Sequence, residues 1–185
     1  MTTQPPQGLK DFRVSVQNNI LTVEFDQQQS KVNTLNSKLF AQFEKILDYI
    51  EKSSQIKVAI FISAKAKCFI AGADIKELQN AKSHSDAEHL SIMGQEICSR
   101  IESLKKPVIA AINGSCLGGG LELAMACHYR IASESSATTL GLPEILLGLI
   151  PGAGGTQRLP NLVGIAQSLK MMLSGSAVKA AQAKK

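Results

Sequence analysis

Apolar and polar residues alternate over Phe12-Arg-Val-Ser-Val16 and again over Leu21-Thr-Val-Glu-Phe25, with Asn18-Asn19 between them. A period of two marks half-buried strands, and the asparagine pair suits a tight turn, so the start of the chain predicts a β-hairpin. Gln27 to Asn33 then reads as a polar loop. From Asn36 or Ser37 the period changes. Leu39, Phe40, Phe43, Ile46, Leu47 and Ile50 form one stripe of a helix running to about Lys52. Lys57-Val-Ala-Ile-Phe-Ile62 and Val108 to Ile112 are short continuous apolar runs, the pattern of strands buried on both faces of a parallel sheet. Between them Ser63 to Gly72 reads as a loop. Ser83 to Ser85 precede a helix whose buried face is Leu90, Met93, Ile97, Ile101 and Leu104, and Pro107 stops it.

Later elements are shorter. Leu121 to Cys127 is an apolar helix, and Tyr129-Arg-Ile-Ala132 a short strand. A Gly-Leu-Pro-Glu turn falls at Gly141 to Glu144, within Thr138 to Ile150. Gly152-Ala-Gly-Gly-Thr156 is a backbone-exposing loop, and Ile165 to Leu173 is helical. Val178 to Lys185 reads as a helix that has barely begun. No repeat recurs at a fixed period. Strands alternating with helices predict an α/β layered fold with a mainly parallel sheet, in one domain over 1–185.

Composition changes this picture little. A chain of 185 residues with 44% hydrophobic residues can bury a full core. Aromatics are few and Trp is absent, which argues against binding single-stranded nucleic acid by stacking. A net charge of +5, spread along the chain, fits a slightly basic surface or a phosphate-bearing ligand. Cys68, Cys98, Cys116 and Cys127 form no C-x-x-C pair, and with three histidines they complete no zinc pattern. They read as reduced, mostly buried thiols in a reducing compartment. Met1 to Gly8 is neither a signal peptide nor an Arg-rich transit peptide, which points to a bacterial cytoplasm more than a mitochondrial matrix. The longest apolar-rich stretch, Pro107 to Cys127, carries Asn113, Glu122 and four glycines, so no membrane span is expected.

Candidate chemistry gathers where the Val108 to Ile112 run meets Gly118-Gly119-Gly120 and a helix start. Glycines admit close approach to the main chain, and a helix N-terminus offers unpaired N–H groups and a positive dipole end. Together they suit an oxygen that carries or develops negative charge. The triplet has neither the spacing of a dinucleotide fingerprint nor that of a P-loop or nucleophile elbow. Glu122 and Glu144 each stand among apolar neighbours. A buried acid there needs a task or a partner, although a solvated Glu122 and a Glu144 favoured by a helix start after Pro143 are the simpler readings. Two such acids suit water addition or proton shuttling. Phe69-Ile-Ala-Gly-Ala-Asp74 offers a second exposed amide, at Ala73, before a helix that Asp74 caps. His84, His89 and His128 read as surface or packing residues, and Ser115 has no general base.

Three blocks make the chain resemble the crotonase (enoyl-CoA hydratase/isomerase) superfamily over essentially its whole length. They are Cys68 to Ile75, Pro107 to Ala124, and Leu140 to Pro160. The wording of Asn113-Gly-Ser-Cys-Leu-Gly118 and Thr156-Gln-Arg-Leu-Pro160 is most similar to the hydratase domain that opens the α-subunit of the multifunctional fatty-acid β-oxidation complex. The resemblance implies a crotonase-like (ClpP/crotonase) fold of repeated ββα units. It implies that the Ala73 and Gly119 amides form an oxyanion hole for an acyl-CoA thioester. Glu122 and Glu144 would activate one water and add it across a trans-2-enoyl-CoA. Lys65, Ala71, Asp74, Ile75 and Lys76 would contact CoA. No metal or separate cofactor is implied, CoA entering as part of the substrate, and no nucleic-acid partner. Expected partners are further copies of the chain or a thiolase β-subunit. Superfamily domains continue through helices that cover the acyl pocket, so this chain is expected to end before them and to leave an apolar edge exposed. Hydration is the expected reaction; isomerisation of an enoyl-CoA, acyl-CoA hydrolysis, and acyl-CoA binding without turnover are the alternatives.

Overall fold

The expected hairpin forms. Strands β1 (Phe12–Gln17) and β2 (Ile20–Phe25) pair antiparallel across Asn18 and Asn19, both at positive φ. The structure, a computed structural model, describes residues 4–184. Helix α1 (Ser37–Lys52) starts where Asn36 accepts a hydrogen bond from the Leu39 amide at 2.8 Å. Its predicted stripe faces inward, with Leu39, Phe43, Ile46, Leu47 and Ile50 fully buried.

The rest of the chain repeats one move. A first strand enters a large sheet, a second short strand enters a small sheet, and a helix follows. The first repeat is β3 (Val58–Ser63), β4 (Cys68–Ile70), then α2 (Ile75–Gln79) and α3 (His84–Ser103). The second is β5 (Val108–Ile112), β6 (Ser115–Leu117) and α4 (Gly119–Ala126). The third is β7 (Tyr129–Ala132), β8 (Thr139–Gly141), a 3-10 turn (Glu144–Leu147), α5 (Gly155–Val163) and α6 (Ile165–Ser174). The large sheet runs β1-β2-β3-β5-β7, parallel except for the hairpin. The small sheet runs β4-β6-β8-β9, with β9 (Val178–Lys179) antiparallel at its edge. The fold is thus α/β with mainly parallel sheets built of ββα units, as expected.

Three local expectations are corrected. Ser63 to Gly72 is not all loop, because it contains strand β4. Gly152 to Thr156 is not all loop, because α5 begins at Gly155. Val178 and Lys179 are a strand, and only Ala180–Ala183 is helical (α7); Lys185 lies outside the described residues. Strands of two or three residues have no room to show a period. They exist because a partner strand supplies their hydrogen bonds. The α4 helix also starts earlier than expected, at Gly119, since a glycine can occupy a first helical turn when packing demands it.

Phe12, Phe25, Phe43, Phe61 and Phe69 form one contiguous aromatic cluster between α1 and the sheets, with ring centroids 5.0–6.3 Å apart. The four cysteines are buried and free. His84, His89 and His128 are all exposed, and the His128 ring also bridges the Val108 amide and the Leu104 carbonyl. Towards the C-terminal end several large apolar side chains are exposed. Leu146, Ile150, Ile165 and Leu173 are 71%, 78%, 71% and 69% exposed. Among the described residues, no helix is long and apolar enough to cross a membrane.

Candidate active site

Because β4, β6 and β8 lie side by side and parallel, the segments that leave them emerge at one end of the small sheet. Ala71-Gly72-Ala73 follows β4, Gly118-Gly119 follows β6, and Pro143-Glu144 follows β8. Three equivalent positions in three repeats therefore meet around a cavity of about 250 Å³. Its polar end holds Ala73, Gly119, Glu122 and Glu144, and its apolar wall includes Phe40, Leu78, Leu90 and Leu147. Leu90 is only half-buried on α3 because it faces this space.

The glycine triplet serves three ends. Gly118 takes φ +51, which turns the chain from β6 into α4. Gly119 opens the helix with a free amide. Gly120 lies so close to Ile70 that any side chain would overlap the Ile70 carbonyl oxygen, which locks α4 against β4. At its far end α4 is closed by Arg130, whose Nη1 donates to the carbonyls of Ala124, Met125 and Cys127 at 3.3, 3.1 and 2.6 Å.

Two amides face the cavity without an acceptor among the described residues, those of Ala73 and Gly119. A Cβ on Gly119 would stand 3.8 Å from Ala73 N and 3.9 Å from Glu122 Oε2. A Cβ on the preceding Gly118 would stand 3.0 Å from Glu144 Oε1. The two carboxylates thus converge over one dipeptide, beside the two free donors.

The carboxylates are housed differently. Glu122 is 2% exposed, yet its Oε1 accepts from the Ala153 and Gly155 amides at 2.8 and 2.7 Å. It therefore occupies the anion position at the N-terminus of α5. Burial raises its pKa; the Gly155 and Ala153 amides, and Arg158 beyond them, pull it back. Glu144 heads the 3-10 turn, and its Oε2 is buried with no hydrogen-bond partner. Burial is the main cause that pushes its pKa up to about 7, and the charge of Glu122 adds to the rise. One acid is thus solvated by two main-chain donors from another segment, and the other has only its own backbone amide to oppose burial.

Of the other residues singled out in the sequence, Ala71, Asp74 and Ile75 line the cavity, and Asp74 caps α2 through the Lys76 amide at 3.0 Å. Lys65 and Lys76 do not line it. Lys65 Nζ is held by Asp26 Oδ1 and the Gln27 carbonyl, both at 2.9 Å. Among the described residues, no three His, Cys, Asp or Glu side chains are grouped to hold a metal.

Sequence reasoning missed Asn33, which it placed in a polar loop. Asn33 is fully buried. Its Nδ2 donates to the Phe25 and Phe69 carbonyls at 3.1 Å each and to Ser63 Oγ at 2.8 Å. Its carbonyl accepts from the Ala71 amide, and Leu35 exchanges bonds with Gly72 and Asp74. This loop therefore fixes the segment that presents the Ala73 amide. No local pattern signals it, since the Ser63, Phe69 and Ala71 partners lie 30 or more residues away.

The model of the family described as enoyl-CoA hydratase/isomerase matches residues 15–185. Among solved structures, the enoyl-CoA hydratase of Bacillus anthracis is 37% identical at a TM-score of 0.87, over 94% of this chain and 66% of that one. That of Geobacillus kaustophilus is 30% identical at 0.90, over 96% and 66%. That of Thermoplasma volcanium is 30% identical at 0.87, over 95% and 68%. The chain spans about two thirds of the length of these structures. A match over so much of the sequence, together with the shared architecture, shows that the chain belongs to the enoyl-CoA hydratase/isomerase family.

Proposed function

We propose that the chain hydrates trans-2-enoyl-CoA thioesters to 3-hydroxyacyl-CoA. The observation that carries the reading is the convergence of two unequal carboxylates and two free amides on one cavity. The thioester oxygen accepts from the Ala73 and Gly119 amides. Glu122, whose anion the Gly155 and Ala153 amides stabilise against burial, takes a proton from water as the oxygen bonds to C3. The π electrons move towards the thioester oxygen, giving an enolate that the two amides stabilise. Glu144, its pKa pushed up to about 7 so that a good share keeps the proton near neutral pH, delivers that proton to C2 as the carbonyl reforms. Water is added overall, and a proton passes from Glu122 back to Glu144 through solvent before the next turnover.

Ala71, Asp74 and Ile75, which line the cavity, would border the CoA chain, and Lys76 and Lys65, outside it, would meet the phosphates, Lys65 only by leaving Asp26. The block wording suggests a place in fatty-acid β-oxidation, in a bacterial cytoplasm, as part of a multifunctional α-subunit that assembles with itself or a thiolase β-subunit. Isomerisation needs one acid to move one proton, so a second, differently housed acid favours hydration.

The test is the loss of enoyl-thioester absorbance with crotonyl-CoA, read beside conversion of a 3-enoyl-CoA. Wild type consuming the first and Glu144→Gln failing to do so is the expected result. Conversion of the 3-enoyl-CoA alone would replace hydration with isomerisation.

A further inference from the structure

On the side of the Gly152–Gly155 segment away from the cavity lies a polar assembly that the hydration chemistry does not use. Helix α3 supplies Gln95 and Glu102, and α5 supplies Arg158. Arg158 gives Nε and Nη2 to Glu102 Oε2 at 3.2 and 2.9 Å, and Nη1 to the Ala153 carbonyl at 3.0 Å. Gln95 Nε2 donates to the Gly152 carbonyl at 2.8 Å. The Gly154 carbonyl accepts from the Gln157 and Arg158 amides at 3.1 and 3.0 Å. Each of the three peptide units between Gly152 and Gly155 is thus held at its oxygen. The outer two give their N–H groups to Glu122. The middle one, which sets their relative orientation, is held by the Arg158 side chain.

We propose that Arg158, oriented by Glu102, is a positioning residue that sets where the Glu122 carboxylate lies and how readily it takes a proton. The proposal rests on the reading of Glu122 as the base. An exposed ion pair alone would matter little. Here the arginine side chain is 14% exposed while Glu102 is 60% exposed, so the guanidinium belongs to the interior and the carboxylate serves it from outside. The backbone is shaped around it, since Gly154, at φ +99, has no side chain that could overlap Nη1. A carbonyl that accepts a hydrogen bond also polarises its own amide, so Gln95 strengthens the Ala153 donor in line.

The charge acts in the same sense as the geometry. The titratable groups facing Glu122 are Arg158 from α5, Glu144 from the 3-10 turn and Cys98 from α3. Burial pushes the Cys98 thiol up to about 12, so it is neutral. Arg158 is therefore the one positive charge in this set, and it opposes the burial of Glu122.

The experiment is a carboxyl-¹³C NMR titration of Glu122, with the amide proton shifts of Ala153 and Gly155, in wild type, Arg158→Met, Arg158→Lys and Glu102→Gln. Hydration kinetics are recorded on the same samples. In Arg158→Met the Glu122 midpoint should rise by about 0.5–1 pH, and both amides should move upfield. The value of kcat should fall about tenfold with KM within about twofold, because no acyl-CoA contact is removed. Arg158→Lys should restore the midpoint but not the Ala153 shift. Glu102→Gln keeps the guanidinium and should displace the Ala153 shift alone, which reads the proposal even if Arg158→Met does not fold. A lowered melting temperature with unmoved midpoint and amide shifts overturns it, leaving Arg158 a structural ion pair. NMR needs no turnover. Movement of the midpoint in a chain that does not hydrate enoyl-CoA would sink the catalytic reading and leave the positioning of Glu122 standing.

Discussion

Glu122 and Glu144 stand over the same pair of glycines, yet the more deeply buried acid is the better solvated. Glu122 is almost wholly inside and has two short amide bonds. Glu144 is half-buried and has a bare oxygen. Burial alone would rank them the other way. The difference teaches that proton affinity in this site follows hydrogen-bond supply more than depth. It also divides the labour. On the proposed reading, the acid whose anion two main-chain donors stabilise is the base, and the acid pushed up to about 7 is the proton donor.

The bluntest way to break the comparison is to remove either member. Glu122→Gln and Glu144→Gln should each lower kcat for hydration by about 10²–10⁴-fold, while CoA product still binds. Steady-state kinetics with a product-inhibition constant would check this. Equal turnover in either variant would refute its role.

A finer break displaces one acid and leaves the other. A Cβ at Gly155 would stand 2.9 Å from Glu122 Oε1 and 3.0 Å from Pro151 Cβ. Gly155→Ala should therefore push the Glu122 carboxylate aside and lower kcat by about 10²-fold. Gly118→Ala addresses the other member. Its Cβ meets Glu144 Oε1 at 3.0 Å, and its φ of +51 strains any side chain. The expected result is a stability loss of about 1–2 kcal/mol with a smaller effect on rate than Gly155→Ala. Thermal melts beside kinetics separate the two.

The smallest effect is on stability. Folding raises the Glu144 pKa from 4.5 to about 7, so the native state holds this proton more tightly than the unfolded chain does. Its contribution is present in full below about pH 4.5, is lost as pH rises to about 7, and stays lost above. Glu144→Gln should thus gain on the order of 1 kcal/mol relative to wild type between pH 5 and pH 8, after allowing for solvent at a half-buried side chain. Urea melts at the two pH values would show it, and an unchanged difference would mean that Glu144 is not desolvated.

Much of this was legible beforehand. Long elements such as α1 and α3 announced themselves by period, and Glu122 and Glu144 stood out because acids are conspicuous among leucines and small residues. The small sheet was not legible, since β4, β6 and β8 are three residues each and exist by pairing. Nor were the supports of the site. Asn33 fixes the Ala73 segment through Phe69 and Ala71, and Arg158 holds the Ala153 carbonyl five residues before it while Glu102, 56 residues away, orients the guanidinium. A sequence displays which groups can do chemistry; it is silent on which distant carboxylate will orient a guanidinium.

The central claim is that Glu144 carries its proton into the reaction while Glu122 does not. The pH dependence of kcat/KM for crotonyl-CoA hydration tests it most directly. The account predicts that the rate falls as pH rises through about 7, where Glu144 ionises, and that Glu144→Gln abolishes that descending limb along with most of the rate. A rate that holds level between about pH 6 and 9, with wild-type turnover in Glu144→Gln, would contradict it.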